Sequence, residues 1–273
     1  MVNPPSAGGT IPGMTPEQPP RPAQRDADYF DDWYAGLLAS PTRNAIVART
    51  LGLPPGMLST GSMTWPGVAE VTEALRLPPG GLLVDAACGF GSYGIEVARR
   101  SDARLLGVDF SNVALEQARA AGAAFLPIGR VEFRTGTLAD TGIPDGTANG
   151  LMCLDSVQFG PPPAGLREFR RVLASGGRVV LTGWEAVDPS DEGVPARIRA
   201  MNLERDLAAA GFTDVRVQDR PDWREAELRM WQELMAAPAA DDDAGMRSMQ
   251  AEGTRSLAAW DTMHRVFATA TAP

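Results

Sequence analysis

Between residues 82 and 218 short apolar runs alternate with amphipathic stretches, and this rhythm constrains the fold more than any other feature of the chain. Residues 82–85, 104–109, 131–134, 150–155 and 178–184 have the length and composition of buried strands. Helices are predicted between them over 92–100, 111–121 with Ser111 as cap, 163–173 closed by Gly176-Gly177, and 195–210 stopped by Gly211. Strands separated by helices pair in parallel, with the helices covering both faces of the sheet. The ending departs from this rhythm. A strand over 213–218 is followed by helical stretches over 223–235 and 244–263, joined by an Ala/Asp loop, and a final strand over 264–270. Ahead of the first strand, helices are expected over about 29–38 and 42–51, the second broken by Leu53-Pro54-Pro55-Gly56. A third runs from Pro66 to Leu77 with Thr64 at its cap. Residues 1–25, rich in Pro and Gly, are expected to form a disordered tail.

Composition removes whole classes of chemistry. The chain carries a net charge of −9, so the backbone of a nucleic acid is not an expected partner. It contains no Lys, which excludes a lysine Schiff base and the lysine-bearing phosphate loop. His264 is its only His, so a His-rich zinc site cannot be built. Cys88 and Cys153 stand far apart and read as reduced thiols. Asp241-Asp242-Asp243 reads as a solvated loop, and no metal is expected. Neither a membrane span nor a secretory leader is apparent, which makes a cytoplasmic location the expectation.

The chemistry gathers at Val84-Asp85-Ala86-Ala87-Cys88-Gly89-Phe90-Gly91-Ser92-Tyr93-Gly94, between the first strand and the helix after it. Glycines permit a tight turn and a close approach of backbone to ligand. Asp109, twenty residues after Gly89 at the end of the next strand, can accept hydrogen bonds from the two hydroxyls of an adenosine ribose. A dinucleotide and S-adenosylmethionine both meet these requirements. Asp85 separates them, because a carboxylate ahead of the turn repels a diphosphate and suits a ligand bearing an ammonium and a sulfonium.

These segments resemble a known family. Leu83 to Gly91 is similar to motif I of the class I S-adenosylmethionine-dependent methyltransferases, and Gly107-Val108-Asp109-Phe110-Ser111 to the acidic motif that follows it. Leu166 to Arg178 is similar to the helix-then-glycine passage before the fifth strand. The resemblance spans about 65–217 and is nearest to bacterial natural-product methyltransferases acting on small molecules. It implies a doubly wound, Rossmann-like α/β fold with a seven-stranded sheet whose last strand is antiparallel, plus N-terminal helices and a helical lid. The expected division is a tail at 1–25, a helical cap at 26–80, a cofactor-binding core at 81–221, a lid at 222–263, and the last strand and C-terminus at 264–273.

Carried over residue by residue, the resemblance implies S-adenosylmethionine as cofactor, with S-adenosylhomocysteine as product. Ala87, Gly89 and Gly91 would contact its methionine part beside Asp85, Asp109 would hold the ribose and Phe110 would flank the adenine. Thr137 and Leu138 stand where relatives often carry an acid near the adenine amino group. Ser62, Met63 and Trp65 precede the helix at which relatives close over the methionine end. The crevice beyond the strands should also receive Asp155, Gln158 and Glu185, the candidates for holding the cofactor, orienting an acceptor or moving a proton. Relatives often carry a His near Gln158, which itself cannot act as a base. His264 is expected to be structural and far from this crevice. Tyr29, Phe30, Trp33 and Tyr34 share a helical face, read either as packing or as a substrate wall. Met201, Met230, Met235, Met246, Met249 and Met263 read as core filling or as an adaptable pocket lining. Methyl transfer to O, N or C of a small molecule is the leading expectation, with a homodimer as the expected assembly. A dinucleotide-dependent oxidoreductase and a non-methylating, cyclase-like protein on the same fold stay open.

Overall fold

The computed structural model describes residues 27–160 and 162–273, so the tail expected at 1–25 lies outside the described residues. A seven-stranded sheet forms from β1 (Leu82–Ala86), β2 (Arg104–Asp109), β3 (Val131–Thr135), β4 (Ala148–Leu154), β5 (Leu173–Ala186), β6 (Thr213–Asp219) and β7 (Met263–Thr271). Their spatial order is β3-β2-β1-β4-β5-β7-β6. The first five pair in parallel, while β7 runs antiparallel to both β5 and β6. The order reverses direction between β1 and β4, which opens a crevice beyond their carboxyl ends.

Strand alternation divides the core into two layers. Leu83, Leu105, Met152, Val180 and Phe267 face one side, where α3 (Trp65–Leu75), α4 (Ser92–Ser101) and α5 (Asn112–Phe125) contribute Val68, Val97 and Leu115. Val84, Leu106, Leu151, Val179 and Ala268 face the other, covered by α6 (Pro162–Val172) and α8 (Leu203–Ala209) through Phe169 and Leu207. The first cluster also takes in Leu37, Leu234 and Met246. It therefore continues into α1 (Ala27–Leu38), α2 (Pro41–Thr50), α9 (Pro221–Ala236) and α10 (Ala244–Ala258), which roof the crevice. Thr64 caps α3 by accepting from Gly67 N (3.1 Å), and Ser111 caps α5 by accepting from Ala114 N (3.2 Å).

Two predicted helices are corrected. The helix expected over 195–210 is broken into α7 (Ala196–Arg199) and α8. Asn202 leaves helical geometry and accepts from Arg205 N (2.9 Å), while the Glu185 carboxylate takes Leu203 N–H (2.6 Å). These two caps start a new helix inside what reads as one amphipathic run. The helix expected to reach 263 ends at Ala258. A 3₁₀ turn, Trp260–Thr262, follows, anchored by Trp260 against Trp184 at 5.0 Å between ring centroids.

The lid and cap meet closely. Gly36 of α1 lies against Gly245 of α10, where a Cβ on Gly245 would fall 2.2 Å from the Gly36 carbonyl oxygen. Ser40 donates to Asp243 (2.9 Å), which also accepts from Met246 N (2.8 Å) as the cap of α10. The aspartate run expected to be merely solvated thus ends, at Asp243, in a structural cap.

Candidate active site

The tips of β1, β2, β4 and β5, closed over by α1, α9 and α10, enclose a cavity of about 650 Å³. Its floor carries Ala87, Asp109 and Phe110, and Thr137, Leu138, Asp155 and Gln158 stand in its walls. Asp109 is buried; one oxygen accepts from Gly89 N (2.9 Å) and the other from Ser111 N (2.9 Å). Burial pushes its carboxyl up against these hydrogen bonds, and no described cation pairs with it. Asp85 lies just behind the turn, buried beneath Gly94, where a Cβ would fall 2.5 Å from its carboxylate. Burial and then the charge of Asp109 hold the Asp85 carboxyl well above the ordinary carboxylate range. One acid on the cavity floor and a second behind the turn, neither paired with a described cation, fit a positively charged ligand.

Gly89 and Gly91 stand behind the cavity wall. Both have positive φ (52° and 72°), and Thr60 covers the first while Phe133 packs against the second. The loop bearing Thr60 thus roofs the glycine turn. Trp65 does not line the cavity; it stacks with Arg100 at 4.4 Å on the outer side of α4. Of the residues expected beside it, Met63 is sunk in the core and Ser62 reaches the cavity.

Asp155 occupies the wall but is not free to take a proton. Its carboxylate accepts from Arg265 Nη2 (2.6 Å), Thr182 Oγ (2.7 Å), Ser62 N (2.9 Å) and Ser62 Oγ (3.3 Å). Burial alone would raise its pKa, yet the Arg265 charge and these bonds outweigh it and leave the carboxyl below its ordinary value. Arg265 also pairs with Glu227 of α9, which accepts from Ser62 Oγ (2.7 Å) and Trp231 Nε1 (3.1 Å). This buried cluster joins β4, β7, the loop before α3 and the lid. None of Arg265, Glu227 and Thr182 was singled out from the sequence. The available signal was parity: Arg265 shares a strand face with Met263 and Phe267, so a cation sits where a core residue belongs.

Gln158 lies in the 3₁₀ turn Val157–Phe159, buried, with its Nε2 donating to the Asp155 carbonyl (2.8 Å). Its Oε1 has no partner among the described residues. Glu185 is corrected: it lies outside the cavity lining, spent on the first N–H of α8. His264 is also corrected in position. Because β7 is reversed, its first residues lie at the same sheet edge as the crevice, with His264 paired to Glu185. The imidazole stays off the cavity, within 3.9 Å of Glu185 and 3.5 Å of Asp219. Tyr29, Phe30, Trp33 and Tyr34 pack against one another. All four line the cavity, Phe30 meets Phe110 at 5.0 Å, and Tyr34 meets Phe90 at 5.4 Å. Among the methionines, Met230, Met249 and Met263 reach the cavity, Met201 and Met246 stay in the core, and Met235 is partly exposed.

The strand order with its reversed β7, and a glycine turn flanked by acids at the tips of β1 and β2, give the chain the Rossmann-like fold of the solved methyltransferases it resembles. Residues 83–177 match the family described as "Methyltransferase domain", and over that span the chain carries it. An O-methyltransferase of Pyrenophora dematioidea is 28% identical over 181 residues, covering 60% of this chain and 66% of the relative. The chain spans 35%, 66% and 64% of the length of three curated relatives it matches. The solved structure of the [4+2]-cyclase SpnF superposes with a TM-score of 0.72 at 22% identity, covering 91% of this chain and 97% of that one. The geranyl diphosphate C-methyltransferase of Streptomyces coelicolor A3(2) gives a TM-score of 0.66 at 16% identity, covering 95% and 100%. The family match favours neither the oxidoreductase nor the non-methylating alternative. No helix among the described residues is long and apolar enough to cross a membrane.

Proposed function

We propose that the protein transfers a methyl group from S-adenosylmethionine to an O, N or C nucleophile of a small molecule. The observation that carries this is the pair Asp85 and Asp109, two buried acids without a counter-ion, Asp109 on the cavity floor and Asp85 behind the glycine turn. When bound, S-adenosylmethionine supplies a methyl group activated by its sulfonium. Asp109, fixed by Gly89 and Ser111, is placed to accept from the ribose hydroxyls. Phe110, with Phe30 against it, and Thr137 and Leu138 would border the adenine, and Ala87 with the turn behind it would serve the methionine part.

The chain's contribution to rate is alignment and exclusion of water. Aromatic and thioether side chains make the walls apolar. Gln158 stands in the wall with its Oε1 buried and unpartnered among the described residues, and would accept from an acceptor O–H or N–H only if the side chain turned toward the cavity. Asp155, saturated with donors and held ionised, orients the wall and leaves proton removal to solvent or to the acceptor's own acidity. Acceptors that lose their proton readily, or carry none on the reacting atom, suit such a site.

Titration calorimetry tests the proposal. S-adenosylmethionine and S-adenosylhomocysteine should both bind, and Asp109→Ala should weaken each by about 10- to 100-fold, as expected for lost hydrogen bonds to a charged group. Tighter binding of a nicotinamide dinucleotide than of S-adenosylhomocysteine overturns it.

A further inference from the structure

We propose that Arg43 is the anion-recognition group of this cavity, pairing with a carboxylate or phosphate-type oxyanion on a bound ligand. The proposal rests on the methyl-transfer reading only for the identity of the ligands. Arg43 projects from α2 and is 1% exposed, yet it forms part of the cavity wall. Its Nη1 donates to the Ser59 carbonyl (2.6 Å) and to Asn44 Oδ1 (3.0 Å). Nε has no partner, and Nη2 makes no hydrogen bond to a described residue. No described carboxylate pairs with it; Glu252 of α10, on the facing wall, and the Tyr93 hydroxyl act on it only through space.

The contrast with Arg265 decides the matter. Both guanidiniums are fully buried, but Arg265 is held between two carboxylates, whereas burial brings Arg43 down to about 10, opposed only through space by Tyr93 and Glu252. An unpaired buried cation is strongly unfavourable, and the arrangement becomes sensible once a ligand supplies the missing charge. A guanidinium is suited to this because its planar fork matches two oxygens of one oxyanion. The position fits as well. Ser59, which takes the Arg43 hydrogen bond, is tied through its hydroxyl to Tyr93 (2.6 Å) and to the Gly61 carbonyl (2.7 Å). It is followed by Thr60, which roofs Gly89. Arg43 therefore stands where the amino-acid end of the cofactor and the acceptor would come together. Either the methionyl carboxylate or an acidic substituent on the acceptor presents the required chemistry.

Calorimetry with Arg43→Met separates the two sources. S-adenosylhomocysteine carries the amino-acid carboxylate, and 5′-methylthioadenosine has the same thioether nucleoside without it. If the cofactor carboxylate is the partner, the variant loses at least about tenfold for the first and nothing for the second. If the acceptor is the anion, both affinities stay unchanged. Phenyl phosphate and 4-hydroxybenzoate, followed by tryptophan fluorescence with and without the nucleoside, then lose at least about tenfold in the variant. No change in any of these affinities overturns the proposal. Should the methionine variant unfold, Arg43→Gln keeps a donor for the Ser59 carbonyl without the charge and carries the same readings. Failure of the wild type to bind S-adenosylhomocysteine counts against the methyl-donor reading, while the anion titrations still test Arg43.

Discussion

Single residues in this site are distinguished by what else they touch. Asp85, Asp109 and Glu227 are buried and Asp155 is half-buried in the cavity wall, and of the four only Asp155 and Glu227 share a cation. Removing that cation should expose the difference. Arg265→Met leaves two largely desolvated carboxylates without their cation and should lower unfolding stability at neutral pH by about 3–5 kcal/mol. The pH response gives the sign. In the wild type the depressed Asp155 pKa contributes stability that is present above the ordinary value near 4 and is lost as pH falls below it. In the variant burial dominates, the Asp155 pKa rises, and its ionisation opposes folding above pH 4. The deficit should therefore be largest near neutrality and shrink as pH falls toward 4. Urea titrations at pH 4 and pH 7 showing an equal deficit would count against this role. The motif acids were readable from sequence because they flank glycines at a fixed spacing. Arg265 and Arg43 were not, since an Arg in a strand or helix reads as solvated until the neighbouring elements are placed over it.

At the scale of elements, apolar periodicity located the strands because the parallel core strands are buried on both faces. It misjudged the passage over 195–210 because the break depends on Glu185, which the sheet delivers from β5 and no local pattern reveals. The lid illustrates the same limit. Gly36 and Gly245 are unremarkable in sequence, 209 positions apart, yet they set how closely α1 and α10 cross. Gly245→Ala forces backbone against backbone there and should cost roughly 1–3 kcal/mol, as overpacked contacts do. Thermal melting should show the loss, and limited proteolysis should cut faster near α10. A variant as stable and as resistant as the wild type would mean that the crossing relaxes freely.

For the whole molecule, one apolar cluster runs from the cap through the sheet to the lid, so a ligand in the crevice bears on the entire fold. S-adenosylhomocysteine at about a hundred times its dissociation constant should add about 2.7 kcal/mol. For a chain of this size that corresponds to a rise in melting temperature of roughly 5 °C or more. A melt that stays single and moves as one is expected; separate transitions, with only one responding, would show that lid and core unfold independently.

The choice of arginine for the buried clamp has a lasting effect on how the enzyme answers its surroundings. A guanidinium keeps its proton throughout the range of acidity a cell encounters, so the tie between the reversed strand and the roofing helix can be loosened only from its carboxylate side. Whatever sensitivity to acidity the fold displays therefore arises in its carboxyl groups, in Asp155 and Glu227 of the clamp and in the unpaired Asp85 and Asp109.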